Sequence, residues 1–289
     1  MAVVEAGPVL VEPDGARRTG NLARNLEVAL PAGGLVLIAA ACFLGPLVLP
    51  VPPPVGGSVL DSYLDAGSPG HLLGTDPNGN DILSRILHGG RSSLVVAVAV
   101  NVLGLLVGGT LGALSGYVGG AVDTVIMRVL DVLIAFPSLV LTLAVAQSLG
   151  ASQTNTILAL AFFSIPAFAR ISRAATLRLR ELPFMAAARL AGTPGWRVLL
   201  RHIAPNITPQ LITFGMLGMG IVMVIEGALS FLGLGIPLPA PSWGNMISQG
   251  QQSLSATPML VVWPCAALFV TVLAFNLLGE TLRARWSGR

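Results

Sequence analysis

Long apolar stretches dominate this chain and limit the folds that it can adopt. Six of them lie approximately at residues 28–50, 92–116, 124–149, 154–176, 207–232 and 257–280. A helix needs about 20 residues to cross a hydrocarbon layer about 30 Å thick. In lipid every backbone polar group has to pair within the protein, so helices are the expected form of each span. The pattern predicts an all-α polytopic membrane protein with six transmembrane helices.

The composition agrees with this prediction and excludes several chemistries. Charged residues make up 10% of the chain, whereas soluble domains carry about a quarter. All 16 basic residues are arginine, and a P-loop needs a lysine on the nucleotide phosphates. The chain is therefore not expected to be an enzyme that hydrolyses ATP. Its two cysteines and three histidines are scattered, so we predict no catalytic residue, no bound cofactor and no metal site.

The arginines also predict the orientation of the spans. Fourteen of them fall on one side of the membrane if both termini are cytoplasmic, whereas Arg85 and Arg91 fall on the other. Arginine is enriched in cytoplasmic loops. The predicted divisions are a cytoplasmic tail, the first span, an external loop with a short amphipathic helix, a five-span core and a second cytoplasmic tail, at 1–27, 28–50, 51–91, 92–283 and 284–289.

The segment between the fourth and fifth spans, residues 177–206, carries two predicted short helices. Residues 186–190 favour a first helix, and Gly192 permits the positive φ that closes a helix end. Thr193 is an acceptable N-cap, and Pro194 fits the first position of a second helix. This second helix is expected to end at Pro205. The arginines of the segment either dock a partner protein or only reflect the positive charge of cytoplasmic loops.

Four residues of this segment resemble the EAA motif of permease subunits in binding-protein-dependent ABC importers. Ala187 and Ala188 occupy the alanine positions, Gly192 the glycine and Pro205 the proline, while Ala186 replaces the glutamate of the motif. His202 and Ala204 also depart from it. We call residues 177–206 the coupling segment, because the resemblance implies that ATPase subunits dock there.

Two further blocks, at 74–94 and 229–244, resemble the dipeptide and oligopeptide branch of these importers. The resemblance extends over about residues 71–289 and implies the type I importer permease fold, in the second, C-type permease of a peptide importer. The implied docking residues are Ala187, Ala188, Arg189, Gly192, Thr193, Trp196, Arg197, Arg201 and Pro205.

The resemblance also implies partners and a location. This chain would pair with a second permease in the bilayer of a bacterial cytoplasmic membrane. Two P-loop ATPases would hold ATP and Mg²⁺, and an extracytoplasmic binding protein would deliver the solute. No nucleic acid partner is expected.

Polar residues inside the predicted spans are candidates for the translocation path. An ionisable residue in a span usually faces the bundle interior or a water-filled cavity. Glu226 therefore either meets the amino group of a peptide in the path or makes a helix–helix hydrogen bond in the heterodimer. Asn101 and Thr142 are further path candidates. Arg128 and Asp131 are three residues apart, which predicts an ion pair across one helical turn.

The external segment 233–256 has two interpretations. Ser242 fits the N-cap of a short helix, and Trp243 and Asn245 are predicted to contact the binding protein. Alternatively, the segment is a polar connector that lies on the membrane.

Other functions fit the sequence less well. A secondary transporter would show inverted repeats or broken spans that carry ion ligands, and no repeat is seen. An intramembrane enzyme would need a catalytic cluster within the spans. Within the importer class, nickel chelates or another small solute are the alternative to peptides as the substrate.

Overall fold

The computed structural model describes residues 14–287, which fold into helices and connecting loops without a β-strand. Residues 1–13 and 288–289 of the two predicted tails lie outside the described residues. The α-helices are α1 (Asp14–Val48), α2 (Ile82–Leu103), α3 (Gly109–Val118), α4 (Gly120–Ala135), α5 (Ser138–Leu149), α6 (Gln153–Arg180), α7 (Pro183–Leu190), α8 (Gly195–Val198), α9 (Ala204–Phe231), α10 (Trp243–Gln251) and α11 (Met259–Ser287).

Five helical stretches of the described chain are long and apolar enough to cross a membrane. Two of them are composite. A π-helical turn at Gly104–Gly108 joins α2 to α3, and a second one at Leu199–Ile203 joins α8 to α9. The resulting stretches, Ile82–Val118 and Gly195–Phe231, have 37 residues each. The predicted second and fifth spans therefore lie within longer helices.

The separate amphipathic helix that was expected within residues 51–91 is not a separate element. Residues 82–91 form the first turns of α2. Asp81 caps this helix, because its carboxylate accepts a hydrogen bond from the backbone N–H of Ser84 at 2.7 Å. Gly90 lies within α2 against the ring of Trp243. A side-chain carbon at this position would overlap the indole, which explains why the residue is glycine.

The third predicted span is bent rather than straight. Helices α4 and α5 meet at an angle of 89° around residues 136–138. Phe136 has extended backbone angles, φ −86° and ψ 141°. The residue before a proline is pushed away from helical angles by the proline ring, so Pro137 explains why α4 ends where it does. Residues 120–149 count as a sixth span only if the two half-helices are taken together.

Glycine spacing explains the closest helix contact of the bundle. Gly108 and Gly112 face α6 so tightly that a side-chain carbon at either position would overlap the carbonyl oxygen of Ile165 or Ala169. Ser172 also donates a hydrogen bond of 2.6 Å to the carbonyl oxygen of Gly109. Small residues at this spacing let two helix backbones approach each other. The glycines at 108 and 112, four residues apart, therefore allow α3 to pack closely on α6.

The bundle has two dissimilar ends. We call the end with α7 and α8 the coupling end and the end with α10 and the 49–81 loop the distal end. At the distal end Asp76 organises the loop by accepting hydrogen bonds from the backbone of Asn78 and Asn80. Arg85, which is 3% exposed, lies 3.4 Å from Asp76 and donates to the side chain of Gln249 in α10. The loop is thereby joined to α2 and α10.

Candidate functional site

The coupling segment contains a hydrogen-bonded turn centred on Gly192. Helix α7 ends when the backbone N–H of Gly192 donates to Arg189 at 3.0 Å and that of Thr193 donates to Ala188 at 3.1 Å. This pair of bonds is the Schellman arrangement, which needs a left-handed residue directly after the helix. Gly192 supplies it with φ +70°. The predicted role of Gly192 in closing the first helix is confirmed.

The second helix differs from the prediction at both ends. Pro194, not Thr193, is the N-cap, because its carbonyl accepts from the backbone N–H groups of Arg197 and Val198. The helix also does not end at Pro205, since it continues from α8 through the π-helical turn into α9. A proline inside a helix clashes with the carbonyl four residues earlier. That residue, Arg201, lies in the wider π-helical turn, which accounts for the uninterrupted helix.

Buried apolar residues fix the coupling segment to the bundle. Met185, Val198 and Ile203 are each 0% exposed and belong to one apolar cluster with residues of α6 and α9. Gly195 lies against the ring of Tyr117 at the end of α3. Direct contacts therefore join the coupling segment to α3, α6 and α9.

The opposite face of the segment is exposed. Of the nine predicted docking residues, seven are exposed in the structure and two are half-buried. The exposed ones are Ala187, Arg189, Gly192, Trp196, Arg197, Arg201 and Pro205, and the half-buried ones are Ala188 and Thr193. Most of the predicted set is thus accessible to a partner.

Apolar side chains on this face were missed in the sequence interpretation. Leu190 is 90% exposed, Leu200 is 66% exposed and Trp196 is 61% exposed. The guanidinium of Arg197 lies 5.2 Å from the centroid of the Trp196 ring. Several large exposed apolar side chains within one short segment are typical of a protein-interaction surface. The sequence signal for this exposed surface was the position of Leu190 before Gly192 and of Trp196 and Leu200 after it.

The structure does not support Glu226 as a path residue. Its side chain is 0% exposed and accepts hydrogen bonds from Ser93 at 3.1 Å and Ser230 at 2.7 Å. The hydrogen bond from Ser93 joins α2 to α9, so the helix–helix hydrogen bond of the second interpretation is present, within this chain. The carboxylate lies inside the packed interior between α2 and α9.

Asn101 and Thr142 are also interior residues. Asn101 is 5% exposed and donates to the carbonyl oxygen of Ala97 at 2.9 Å within its own helix. Thr142 is 1% exposed. Both predicted path positions are therefore closed off by the packing of this chain, because helix–helix contacts cover the faces on which they lie.

Trp243 and Asn245 do not present a surface to an external protein. Trp243 is 1% exposed and its indole N–H donates to the carbonyl oxygen of Ile86 at 2.9 Å. Asn245 is 3% exposed and forms a reciprocal capping box with Ser242 at the start of α10. The predicted cap is confirmed, whereas direct contact of these two side chains with a binding protein is excluded by their burial.

The comparison with known proteins agrees with this arrangement of helices. Residues 108–287 match the family described as "binding-protein-dependent transport system inner membrane component". The chain belongs to this family. This inner-membrane transport component is 42% identical over 223 residues to the glutathione transport system permease protein GsiD of Pectobacterium atrosepticum. The aligned residues cover 77% of this chain and 74% of that protein.

A second relative is named for a different substrate. The transport component is 38% identical to the dipeptide transport system permease protein DppC of Alkalihalophilus pseudofirmus, over 76% of this chain and 72% of the relative. Its fold is similar to a chain of the inward-facing MetNI methionine ABC transporter, with a TM-score of 0.56 and 15% identity over 69% of this chain and 95% of that one. The predicted family and the ABC importer permease fold are confirmed.

Proposed function

We propose that this transport component is one of two permease subunits of an ATP-driven importer of small peptides. The single observation that carries the coupling role is the two-sided coupling segment. One side is anchored by Met185, Val198 and Ile203, and the other exposes Leu190, Trp196 and Leu200. A surface of this kind receives a partner and passes its movement to the spans.

The proposed partners follow from what the chain lacks and exposes. With no lysine for a P-loop, ATP and Mg²⁺ are assigned to two separate ATPase subunits that bind the coupling segment. Both termini and the coupling segment are assigned to the cytoplasm, because the arginines are concentrated at that end. A second permease completes the path, and an external binding protein delivers the solute at the distal end.

Exposed residues near α10 replace the two buried ones as candidates for contact with the binding protein. The loops that flank α10 are exposed at residues 237–240 and at residues 254–256. Leu238 is 58% exposed and Leu254 is 48% exposed. Helix α10 itself fixes these loops through buried Trp243, so its role is to hold the contact surface in place.

Small peptides are the proposed solutes because the named relatives transport a dipeptide and glutathione. The test is uptake of labelled glutathione, dipeptides, oligopeptides and a nickel chelate by cells that lack this chain, with and without its restored gene. We expect peptide uptake to be lost and restored. Loss of nickel uptake with unchanged peptide uptake would favour the alternative solute.

The coupling role is tested with a matched pair of surface variants. Leu190→Glu places a charge in the exposed apolar face and is expected to weaken ATPase binding by about 2 kcal/mol, or about 30-fold. Leu60→Glu is the control, because Leu60 is 95% exposed at the distal end. Co-purification of ATPase with each variant measures the effect. Equal recovery for both variants would contradict docking at the coupling segment.

A further inference from the structure

An ion pair lies on an exposed side of the bundle, well inside the length of α6. The guanidinium of Arg170 in α6 is 2.8 Å from a carboxylate oxygen of Asp131 in α4, and the two side chains are 52% and 45% exposed. Asp131 thus pairs with Arg170 and not, as predicted, with Arg128. Arg170 lies ten residues before the end of α6 at Arg180, or about 15 Å along the helix axis.

This depth limits what can cover the ion pair. Helix α6 has 28 residues and is about 42 Å long, so it extends past a hydrocarbon layer of about 30 Å. Arg170, which is one of the fourteen arginines assigned to the cytoplasmic side from the sequence, therefore falls within the layer instead. Charged side chains at that depth face a protein interior or a water-filled cavity, because contact with lipid tails is costly. Lipid is thereby excluded as the neighbour of the exposed guanidinium.

A cavity of about 730 Å³ lies beside Arg170 and leaves room for water at the guanidinium, although the rest of its lining is apolar. It is lined by Arg170, by Phe163 and Phe214, and by the bend of the third span at residues 135–137. Irregular backbone at membrane depth is tolerated where it is buried in protein or lines a water-filled cavity. The charged side chain and the broken span therefore meet at one place, for which a water-filled cavity gives a single explanation.

The cavity continues towards the coupling end. A second cavity of about 560 Å³ shares Ile171 and Phe214 with the first and is lined there by Arg178, Gln210 and Arg283. The lining changes along this route from mostly aromatic and aliphatic to polar. The two cavities thus adjoin at Ile171 and Phe214, so that Arg170 lies next to a polar region near the coupling end.

Arg170 has unused hydrogen-bonding capacity towards the cavity beside it. A guanidinium carries five N–H donors, and within the described residues the Arg170 side chain makes one hydrogen bond, to Asp131. The remaining donors suit a carboxylate, which arginine binds in a forked geometry. Asp131 holds the guanidinium from the α4 side and leaves the cavity side open.

We infer that Arg170, positioned by Asp131, lines the solute path and binds the carboxylate group of a passing peptide. This inference rests on the proposed function for the nature of the solute. Arg170 is the contact residue, and Asp131 is a positioning residue that acts through it. The pair replaces Glu226, Asn101 and Thr142 as the candidate for a polar contact in the path.

The first test uses charge variants in the complete transporter, reconstituted with its binding protein. Arg170→Gln is expected to lower peptide uptake about tenfold or more, as for loss of one charge-assisted hydrogen bond, while ATP hydrolysis stimulated by the binding protein persists. Arg170→Lys and Asp131→Glu keep the charges and are expected to retain more uptake than Arg170→Gln and Asp131→Asn.

Exchange of the two charges separates a path contact from a structural ion pair. The double variant Arg170→Asp with Asp131→Arg restores an ion pair between α4 and α6 but moves the positive charge away from the cavity. We expect it to remain defective in uptake. Full uptake by the exchanged variant, or by Arg170→Gln, would overturn the inference.

The second test is independent of which solute is carried. In a background without Cys42 and Cys265, Ile134→Cys and Val132→Cys are treated with a charged, membrane-impermeant thiol reagent. Ile134 lines the cavity and is 40% exposed, whereas Val132 is 62% exposed and does not line it. We expect fast labelling at 134 and slow labelling at 132, whatever the solute. Equal labelling at both positions would refute a water-filled path there, whereas absence of peptide uptake in the unaltered transporter would refute the proposed function.

Discussion

The two ends of the bundle use short helices in opposite ways. At the coupling end Trp196 is 61% exposed, in a segment that also exposes Leu190 and Leu200, whereas at the distal end Trp243 is 1% exposed against α2. Both tryptophans lie near the start of a short helix after a Ser, Thr or Pro cap region. Their surroundings differ because α10 is packed into the bundle, whereas α7 and α8 contact the bundle with one side only.

This difference shows that position between two spans does not determine exposure. Helix α10 is held by hydrogen bonds that connect Trp243 and Ser93 with Glu226. The coupling helices are held by apolar contacts of Met185 and Val198 and leave their other side free. A region that binds a partner protein needs such a free side, whereas a region that only supports neighbouring loops does not.

The largest effect on stability is expected from Trp243→Ala. Removing a fully buried tryptophan costs about 3–5 kcal/mol of unfolding free energy, and it also leaves the carbonyl oxygen of Ile86 without its indole donor. Thermal unfolding of the purified transporter measures the loss. An unchanged melting temperature would mean that the distal helix is not packed as described.

Trp196→Ala tests the other half of the comparison. We expect little change in melting temperature, because the ring is 61% exposed, but a loss of about 2–4 kcal/mol in ATPase binding, as for an aromatic hot spot. Affinity of the permease for the isolated ATPase is the measurement. A variant that unfolds easily yet binds ATPase normally would reverse the assignment of the two ends.

Glu226→Leu is expected to destabilise by about 1–3 kcal/mol, because the hydroxyls of Ser93 and Ser230 lose their buried acceptor. Glu226→Gln keeps an acceptor and is expected to cost less. Both changes should reduce the amount of folded transporter without altering the apparent KM for peptide. A raised KM at normal stability would return Glu226 to the translocation path.

The smallest effect on stability is expected from a change at Gly192, in the turn between α7 and α8. Gly192→Ala forces a side chain into the left-handed region and costs about 1–2 kcal/mol, although the space around the residue is open. Gly34→Ala is the control, since Gly34 also has open space and lies within a helix. Unfolding temperature and transport coupled to ATP hydrolysis report the difference. Equal behaviour of the two variants would remove the role of positive φ.

The sequence predicts local features of both ends well. Gly192 closes α7, and Ser242 caps α10, because such preferences depend on a few neighbouring residues and on backbone angles. It predicts the long helices for the same reason, since lipid imposes backbone pairing within each span. The end of the second coupling helix was wrong because a π-helical turn at 199–203 accommodates Pro205.

The faces of the helices could not be predicted in this way. Glu226 and Arg170 are both ionisable residues in spans, yet one is 0% exposed among serines and the other lines a cavity. In an apolar span all faces look alike in hydropathy, so periodicity gives little information about which side is packed. Contacts between distant segments, such as Ser93 with Glu226, decide it.

By itself the sequence determined that this protein crosses a membrane as a bundle of helices, that it belongs to the importer permeases and that a glycine turn divides the coupling segment. These properties follow from apolar length, charge distribution and local backbone preference. Only the tertiary structure decided that Trp243 and Glu226 are interior and that Arg170 and Asp131 meet beside a cavity. The physical reason is that burial and pairing depend on which helix faces come together, and contacts between residues far apart in the chain, such as Ser93 with Glu226, fix that choice.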